Sequence, residues 1–317
     1  MIDVQRLRVL RAVAEHGSFN KAAGALLLTP SAVSQHIAAL ERTLGHPVAV
    51  RSTRGVTLTE PGRLLVETAE TISAELDRVR GAIDRLTAER PRLTVATFTS
   101  GGRRLLPAAL SRFVAAHPEV ELTVREAEPE DAVPLVRRGV ADLALAYHFD
   151  GPPPVRPDER PGLDWVPLRE DPLSLVLPRG HRLAGRDGLE LGELAAERWV
   201  LGCLKTEAFL RRYAGQAGFE LRVGASTTDY FFAQTLVAAG VGVSLVPRVA
   251  LAPAPELVVV PVLPPRPARH IGLVLPRRRR PQPYAEALAR ALTEAGADEA
   301  AVSAGGRTPP GAPAAPA

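Results

Sequence analysis

The segment that most constrains the fold lies near the start of the chain, at residues 17–44, GSFNKAAGALLLTPSAVSQHIAALERTL. Ser18 is a favourable N-cap for one short helix, whereas Thr29 and Pro30 suit the N-cap and the first position of a second. Apolar residues recur in that second helix at spacings of four, three and four, which places them on one buried stripe: Val33, Ile37, Leu40 and Leu44. The sequence therefore predicts two helices joined by a turn.

The opposite side of the second helix carries small and amide side chains near its start. Such a surface suits the major groove of DNA, because the first residues of a recognition helix must approach base edges closely. We expect Ser31, Ser34 and Gln35 to contact bases, since an amide can pair with the N6 and N7 edge of adenine. A plain helical hairpin is the alternative interpretation. The candidate DNA-binding residues of the two helices are Ser18, Thr29, Pro30, Ser31, Ser34, Gln35, His36 and Arg42.

A small hairpin is predicted directly after these helices. Residues 48–50 and 56–58 are short β-prone runs, and the polar segment between them contains Arg51 and Arg54. A hairpin of this kind is a wing, and arginines at or beside its tip can reach phosphate or the minor groove. Residues 1–60 are therefore predicted to form a winged helix-turn-helix DNA-binding domain, in which a first helix over residues 3–15 supports the other two.

Together these motifs resemble the LysR-type transcriptional regulators of bacteria. The resemblance covers nearly the whole chain and is strongest over residues 1–62, at residues 7–13, Gly17-Ser18-Phe19, Ala22-Ala23, residues 31–35, Ile37, Leu40-Glu41, Leu44-Gly45, Arg51 and residues 58–62. The family usually has a bulky Leu-Phe pair before the wing arginine, where this chain has Val48, Ala49 and Val50. Looser packing is therefore expected beneath the wing.

A long helix is predicted from residue 61 to about residue 89. Its apolar residues alternate four and three positions apart, at Leu65, Ala69, Ile72, Leu76, Val79, Ile83 and Leu86. An a/d seam flanked by charges is typical of a coiled coil, so residues 61–90 are predicted to be a dimerising linker helix; packing on its own domain is the alternative. A two-fold pair of recognition helices contacts half-sites about 34 Å apart, or a multiple of that, which predicts an interrupted palindrome in double-stranded DNA.

Residues 91–297 show alternating strand and helix patterns, which are typical of a mostly parallel sheet with helices on its faces. A Pro-rich break at residues 151–162 separates two units, so we expect lobe I over about residues 91–163 and 268–297, and lobe II over about residues 164–267 with a first strand at residues 173–177. The family resemblance implies a two-lobed α/β domain like the type 2 periplasmic binding proteins. The strand pattern alone leaves open which lobe the final elements join.

Candidate effector-binding residues follow the predicted strands, because ligands of two-lobed α/β domains bind in the cleft beyond the carboxyl ends of the strands. Thr99, Ser100 and Gly101 precede a helix, where hydroxyls and helix N–H groups suit a carboxylate or another anion. The resemblance implies the same, since the family commonly uses a Ser or Thr there for its effector. The further candidates are Tyr147, His148, Cys203, Thr227 and Thr228, for which capping or core packing is the alternative.

The cysteine content bounds the redox chemistry. Cys203 is the only cysteine, which excludes a disulfide framework and a cysteine-based zinc site and favours a reducing cytoplasm. A redox-sensing role, as in peroxide-responsive members of the family, is disfavoured because no second cysteine can resolve a disulfide within the chain. The first residues lack the apolar core and cleavage site of a signal peptide, and no run approaches about 18 apolar residues, so a soluble cytoplasmic protein is expected. Residues 298–317 are predicted to be a disordered tail with too little to bury.

The sequence favours a transcriptional regulator over an enzyme, because it shows no catalytic triad pattern, no paired carboxylates and no phosphate-binding glycine loop. No cofactor and no metal site are expected. The expected partners are DNA, a small-molecule effector that shifts the lobes, and a second copy through the linker helix; the resemblance adds a homotetramer, and RNA polymerase is a further candidate. A small-molecule-binding protein or enzyme with a two-lobed α/β domain is the alternative, but a solute-binding protein would not need residues 1–90.

Overall fold

The computed structural model describes residues 2–52, 55–86, 89–149, 153–155, 162–203, 206–277 and 282–305. The chain divides into two compact units. Unit 1 comprises Met1–Thr87 with Arg137–Val140, and unit 2 comprises Ala88–Val136 with Ala141–Ala317.

Three helices of unit 1 pack around one core: α1 (Val4–His16), α2 (Phe19–Leu26) and α3 (Pro30–Leu44). The Thr29 side chain accepts a hydrogen bond at 3.1 Å from the amide three residues later, so it caps α3 as its sequence context predicts. Ser18 occupies the N-cap position of α2, but its side chain makes no capping hydrogen bond. The apolar stripe of α3 faces the core, where it buries Val33, Ile37 and Leu40.

The predicted wing is an antiparallel hairpin of β1 (Ala49–Ser52) and β2 (Gly55–Leu58). Beneath it Val48 is fully buried, and its amide donates to the Glu41 carboxylate at 3.0 Å. A Cβ atom at Gly62 would overlap the carbonyl oxygen of Val48. The expected looseness is therefore not found at Val48, because the backbone of the following helix approaches it closely.

That following helix is α4 (Glu60–Leu86), a single helix of 27 residues close to the predicted bounds. Leu65 and Val66 pack against the core of unit 1, and Ala69 is buried. The first turns of α4 are therefore part of the packed unit, which orients the rest of the helix.

Unit 2 contains nine named strands and six named α-helices within the described residues. The strands are β3 (Arg92–Thr97), β4 (Glu121–Glu126), β5 (Leu143–His148), β6 (Leu163–Pro178), β7 (Arg198–Leu201), β8 (Arg222–Ser226), β9 (Ser244–Pro247), β10 (Leu257–Pro261) and β11 (Ala268–Pro276). The helices are α5 (Thr99–Arg104), α6 (Leu106–Ala116), α7 (Pro129–Arg137), α8 (Thr206–Gln216), α9 (Tyr230–Ala238) and α10 (Pro283–Gly305).

Two long strands, β6 and β11, connect the lobes. Residues 163–172 of β6 pair with β11, whereas residues 173–178 pair with β9 and β10. Strand β11 also pairs with β5, which gives the order β10-β6-β11-β5-β3-β4. The structure thus places β10 in lobe II and returns the chain to lobe I through β11. Lobe I contains β3, β4 and β5, and lobe II contains β7 to β10.

The sheet is mixed rather than mostly parallel, which corrects the expectation from sequence. Strand β3 runs parallel to β4 and β5, and β7 runs parallel to β8. The crossover strands β6 and β11 pair antiparallel with each other and with the strands beside them. Alternation of strands and helices predicts parallel pairs inside each lobe, but it contains no information about strands that cross between lobes.

The end of the chain differs from the sequence-based prediction. Helix α10 continues to Gly305, past residue 298 at which a disordered tail was expected to begin. Alanines at positions 297, 300 and 301 explain the extension, because alanine has the highest helix propensity even where little apolar surface can be buried. The remaining tail, residues 306–317, lies outside the described residues.

Candidate functional site

The outer side of α3 presents the surface that its sequence predicts. Thr29, Pro30, Ser31, Gln35 and Arg42 are exposed, whereas Ser18, Ser34 and His36 are half-buried. The Ser34 hydroxyl donates to the Pro30 carbonyl oxygen at 2.9 Å. The start of α3 therefore offers hydroxyls and one amide opposite the buried stripe.

The turn between α2 and α3 contains an unfavourable residue type. Leu27 has a φ of 55°, in the left-handed region, and its side chain is 93% exposed. A leucine in this conformation brings its Cβ too close to the following carbonyl oxygen. The left-handed conformation of Leu27 therefore lowers the stability of the tight turn.

The two wing arginines are not placed by the structure. Arg51 belongs to β1, where it pairs with Val56, but its side chain lies outside the described part. Arg54 lies outside the described residues altogether. Their phosphate contacts stay predictions.

The later part of the α4 seam faces solvent in the single chain. Leu76 is 56% exposed, and Val79 and Ile83 are also exposed. Three large apolar side chains at heptad spacing on one exposed helix form a surface that a second helix could cover.

A small polar cavity lies at the carboxyl ends of strands from both lobes. It is lined by Phe98, Thr99, Ser100, Glu128, Tyr147, Cys203, Thr228, Asp229, Tyr230 and Arg269. Its volume is about 10 Å³, roughly what one ordered water requires. The cavity therefore lies beyond the carboxyl ends of the strands, where it was expected, although the space is much smaller than a typical ligand site.

Arg269 is the buried cation of this cavity, and the sequence analysis missed it. Its Nε donates to Asp171 at 2.7 Å, and its Nη2 donates to the Ser100 hydroxyl at 2.8 Å. The guanidinium carbon lies 4.9 Å from the ring centre of Phe98 and 4.8 Å from that of Tyr147. A carboxylate and two aromatic faces thus surround a charge that would be costly to bury alone.

Tyr147 links Cys203 to a carboxylate. Its hydroxyl donates to Glu128 Oε2 at 2.7 Å and lies 4.0 Å from Cys203 Sγ. Burial raises the pKa of Tyr147, and Cys203 and Glu128 raise it further. The phenol therefore stays protonated, with its hydrogen directed at Glu128.

Tyr230 supplies a hydroxyl that the described residues leave unpaired. Burial raises the pKa of Tyr230, and the positive charge of Arg269 lowers it in part. A hydrogen bond from the Thr206 hydroxyl would also lower this pKa. That hydroxyl instead donates to the Cys203 carbonyl oxygen at 2.7 Å. A buried hydroxyl without a partner is available to a molecule bound in the cavity.

Three of the predicted effector residues do not line the cavity. Gly101 lies against the sheet, where a Cβ atom would meet the side chains of Phe98 and Leu145. The ring of His148 instead stacks on His270 at 5.2 Å. The Thr227 hydroxyl donates to backbone carbonyl oxygens, that of Leu201 in β7 at 3.1 Å and that of Asp229 at 2.9 Å. The predicted residues that do line it are Thr99, Ser100, Tyr147, Cys203 and Thr228.

The cavity residues that sequence analysis missed are Phe98, Glu128, Asp229, Tyr230 and Arg269. Asp229 is the N-cap of α9, and its carboxylate accepts from the Phe231 amide at 2.8 Å. The one sequence signal at Arg269 is a charged residue beside the apolar run of β11, and the structure pairs it with Asp171 of β6. Opposite charges at paired positions of two strands attract each other, and here the pair is buried.

Comparison with known families decides the class of protein. Residues 4–63 match the bacterial regulatory helix-turn-helix protein, lysR family, and residues 87–297 match the LysR substrate binding domain. The chain belongs to the LysR family. It is a DNA-binding transcriptional regulator with an effector-binding domain.

Individual LysR relatives agree with this assignment. The DNA-binding transcriptional dual regulator OxyR of Escherichia coli is 28% identical over 90% of this chain and 95% of its own. A probable hydrogen peroxide-inducible genes activator of Mycobacterium avium is 31% identical over 84% of this chain and 86% of its own. The solved structure of a Corynebacterium glutamicum OxyR C206 mutant has a TM-score of 0.54 and 25% identity, and the match covers 95% of both chains.

Among the described residues no single helix is long and apolar enough to cross a membrane. The bent pair α2 and α3 passes that test only when the two helices are taken together, and their apolar residues form the core of unit 1.

Proposed function

We propose that this LysR regulator binds an interrupted palindrome through the exposed side of α3, and that an effector in the cavity of unit 2 controls that binding. The observation that carries the proposal is the cavity itself, which collects side chains from both lobes around a buried arginine. An occupant that contacts both lobes can favour one arrangement of the lobes over another.

The DNA contacts follow from exposure and residue type. Ser31, Ser34 and Gln35 contact bases; Arg42, Arg51 and Arg54 contact phosphates. Ser18, Thr29, Pro30 and His36 lie beside the DNA. These roles rest on the side of α3 that faces away from the core of unit 1.

A homodimer through α4 supplies the two recognition helices, because its exposed seam needs an apolar partner. Two such dimers form the homotetramer. The protein works in the cytoplasm, where RNA polymerase is its further partner at the promoter.

The chemistry of the cavity favours a small neutral effector over an anion. Arg269 is already paired with Asp171, and Glu128 and Asp229 add negative charge to the wall. An anion would meet more negative than positive side chains there. The small volume limits the occupant to a few atoms unless the lobes move.

A second candidate function is a response to hydrogen peroxide through Cys203. Two observations favour it: Cys203 lines the cavity, and several relatives are named hydrogen peroxide-inducible genes activators. Peroxide is small and neutral, as the cavity requires. Because Cys203 is the only cysteine, the product within one chain would be a sulfenic acid and not a disulfide.

DNA footprinting tests the proposal. The purified full-length chain is incubated with the DNA upstream of its own gene at a stated salt concentration. A protected interrupted palindrome is the expected result. Absence of protection by a folded dimer on that DNA and on a genome-wide fragment pool would overturn it.

The same assay separates the two kinds of effector. Peroxide should change the footprint of the unchanged chain but not that of a Cys203→Ser variant if Cys203 is the sensor. An unchanged footprint in peroxide would reject the second candidate, and small neutral metabolites would then be screened on the same probe.

A further inference from the structure

Helix α5 holds two cavity residues and also contacts the other lobe. Thr99 and Ser100 stand in its first turn and line the cavity from lobe I. Arg103 lies four positions after Thr99 and three positions after Ser100, which places it on the same side of the helix. Any shift of the cavity wall at Ser100 must therefore move Arg103.

In lobe II, Phe231 lies beside the cavity residues of α9, as Arg103 lies beside those of α5 in lobe I. It follows Asp229 and Tyr230, which line the cavity, and the Asp229 carboxylate accepts from its amide at 2.8 Å. Phe231 thus lies in the first turn of α9, at a backbone position that is fixed to the cavity wall.

Arg103 and Phe231 meet directly. The guanidinium carbon lies 3.7 Å from the ring centre of Phe231, closer than the contacts of Arg269 with the rings around it. Within the described residues, no carboxylate forms an ion pair with Arg103. The cation–π contact is therefore the interaction that holds this exposed side chain in place.

We propose that Arg103 and Phe231 form a latch that keeps the two lobes closed on the cavity, and that the effector enters or leaves when the latch opens. The neighbouring Arg104 is held differently, since its Nη2 donates to the Leu251 carbonyl oxygen at 2.6 Å. That contact lies next to the short 3-10 turn Arg248–Ala250, which is fixed to the crossover strand by Asp171. Arg104 is thus attached near the crossover strands, whereas the Arg103 contact reaches α9 and can separate.

The latch regulates DNA binding only if the cavity binds the effector as proposed above, but its opening can be measured without effector or DNA. Cys203 lies in the cavity with 7% of its surface exposed, and it is the only thiol of the chain. Its rate of reaction with an aromatic disulfide reagent follows the population of the open state when opening and closing are faster than labelling.

The test compares Arg103→Gln, Phe231→Leu and the double variant in the full chain. Each single change should raise the Cys203 labelling rate by about twofold to fivefold, the range expected for losing one exposed cation–π contact. The double variant should be no faster than the faster single variant, because both changes remove the same contact. Arg212→Gln is the control, since Arg212 lies over Phe209 within lobe II, and it should leave the rate unchanged.

Unchanged labelling in Arg103→Gln would overturn the latch, and so would rates that multiply in the double variant. If Phe231→Leu does not fold, Arg103→Gln decides alone, because Arg103 is an exposed side chain. A failed footprint with accelerated labelling would reject the proposed function and keep the latch. A protected palindrome with unchanged labelling would reject the latch and keep the proposed function.

Discussion

At the scale of single residues, Gln35 has the most specific expected role. Its side chain is exposed on α3, which turns Val33, Ile37 and Leu40 toward the core. Gln35→Ala should weaken binding to the operator by about 1–3 kcal/mol, because a bidentate amide contact with adenine is lost, while binding to unrelated DNA stays the same. Titrations of both DNAs at one salt concentration measure this. Arg42→Ala is the control and should weaken both alike; an equal loss for Gln35→Ala would show that Gln35 does not contact bases.

A substitution at Leu27 should stabilise the protein. The left-handed backbone at this position costs a leucine about 1–2 kcal/mol, whereas asparagine adopts this conformation readily. Leu27→Asn should therefore raise the free energy of unfolding of unit 1 by about 1 kcal/mol. Thermal unfolding followed by circular dichroism provides the measurement. Leu27→Ala should show no such gain because it keeps the strained backbone, and equal gains in both variants would point to removal of exposed apolar surface instead.

The buried pair of Arg269 and Asp171 should dominate the stability of unit 2. Arg269→Met leaves the Asp171 carboxylate buried with the Val249 amide as its one partner among the described residues, which should cost about 3–5 kcal/mol. Adding Asp171→Asn should recover part of that loss, since no unpaired charge remains. Urea denaturation of the three proteins tests this; a single variant as stable as the unchanged chain would mean that water reaches the pair.

The sequence predicts some of these residues well and others not at all. Ser100 and Cys203 were expected in the cavity because they follow strands, and local position is enough to place such residues. Arg269 was missed because its role depends on Asp171, which is 98 positions away in sequence. Pairings over such distances become visible only when the register of two strands is known.

At the scale of secondary-structure elements, the linker helix shows what periodicity can predict. The heptad pattern predicted the bounds of α4 to within a few residues, because the same spacing of apolar residues recurs along a helix of 27 residues. Strand β6 was predicted only over its second half. Its first half carries Pro167 and three consecutive charged residues ending at Asp171, which are typical of a loop, and only its pairing with β11 makes it a strand.

The exposed seam of α4 leads to a prediction about assembly. Leu76→Asp should raise the dissociation constant of the dimer about tenfold or more, because a charge would have to be buried between two helices. Leu64→Asp is a matched control, since Leu64 is 57% exposed and Leu76 is 56% exposed, but Leu64 lies beside the seam. Analytical ultracentrifugation at low micromolar concentration measures both. A Leu76→Asp variant that stays dimeric would show that another surface holds the copies together.

At the scale of the whole molecule, the two units have separate tasks and separate cores. Leu10, Val33 and Leu40 belong to one cluster, while Trp199 and Leu245 belong to another. Each unit also matches its own family model, over residues 4–63 and 87–297. A unit with its own core should keep its fold when the other is removed.

A fragment of residues 91–297 tests this separation. It should unfold cooperatively and should label Cys203 at the rate of the full chain, because the cavity is built only from residues of unit 2. It should not protect the operator, since α3 and the wing are missing. Footprinting and thiol labelling of the same preparation give both answers. Fast labelling together with a loss of cooperative unfolding would show that residues 1–90 are needed for the fold of the cavity, and that the two tasks are coupled already in the unliganded chain.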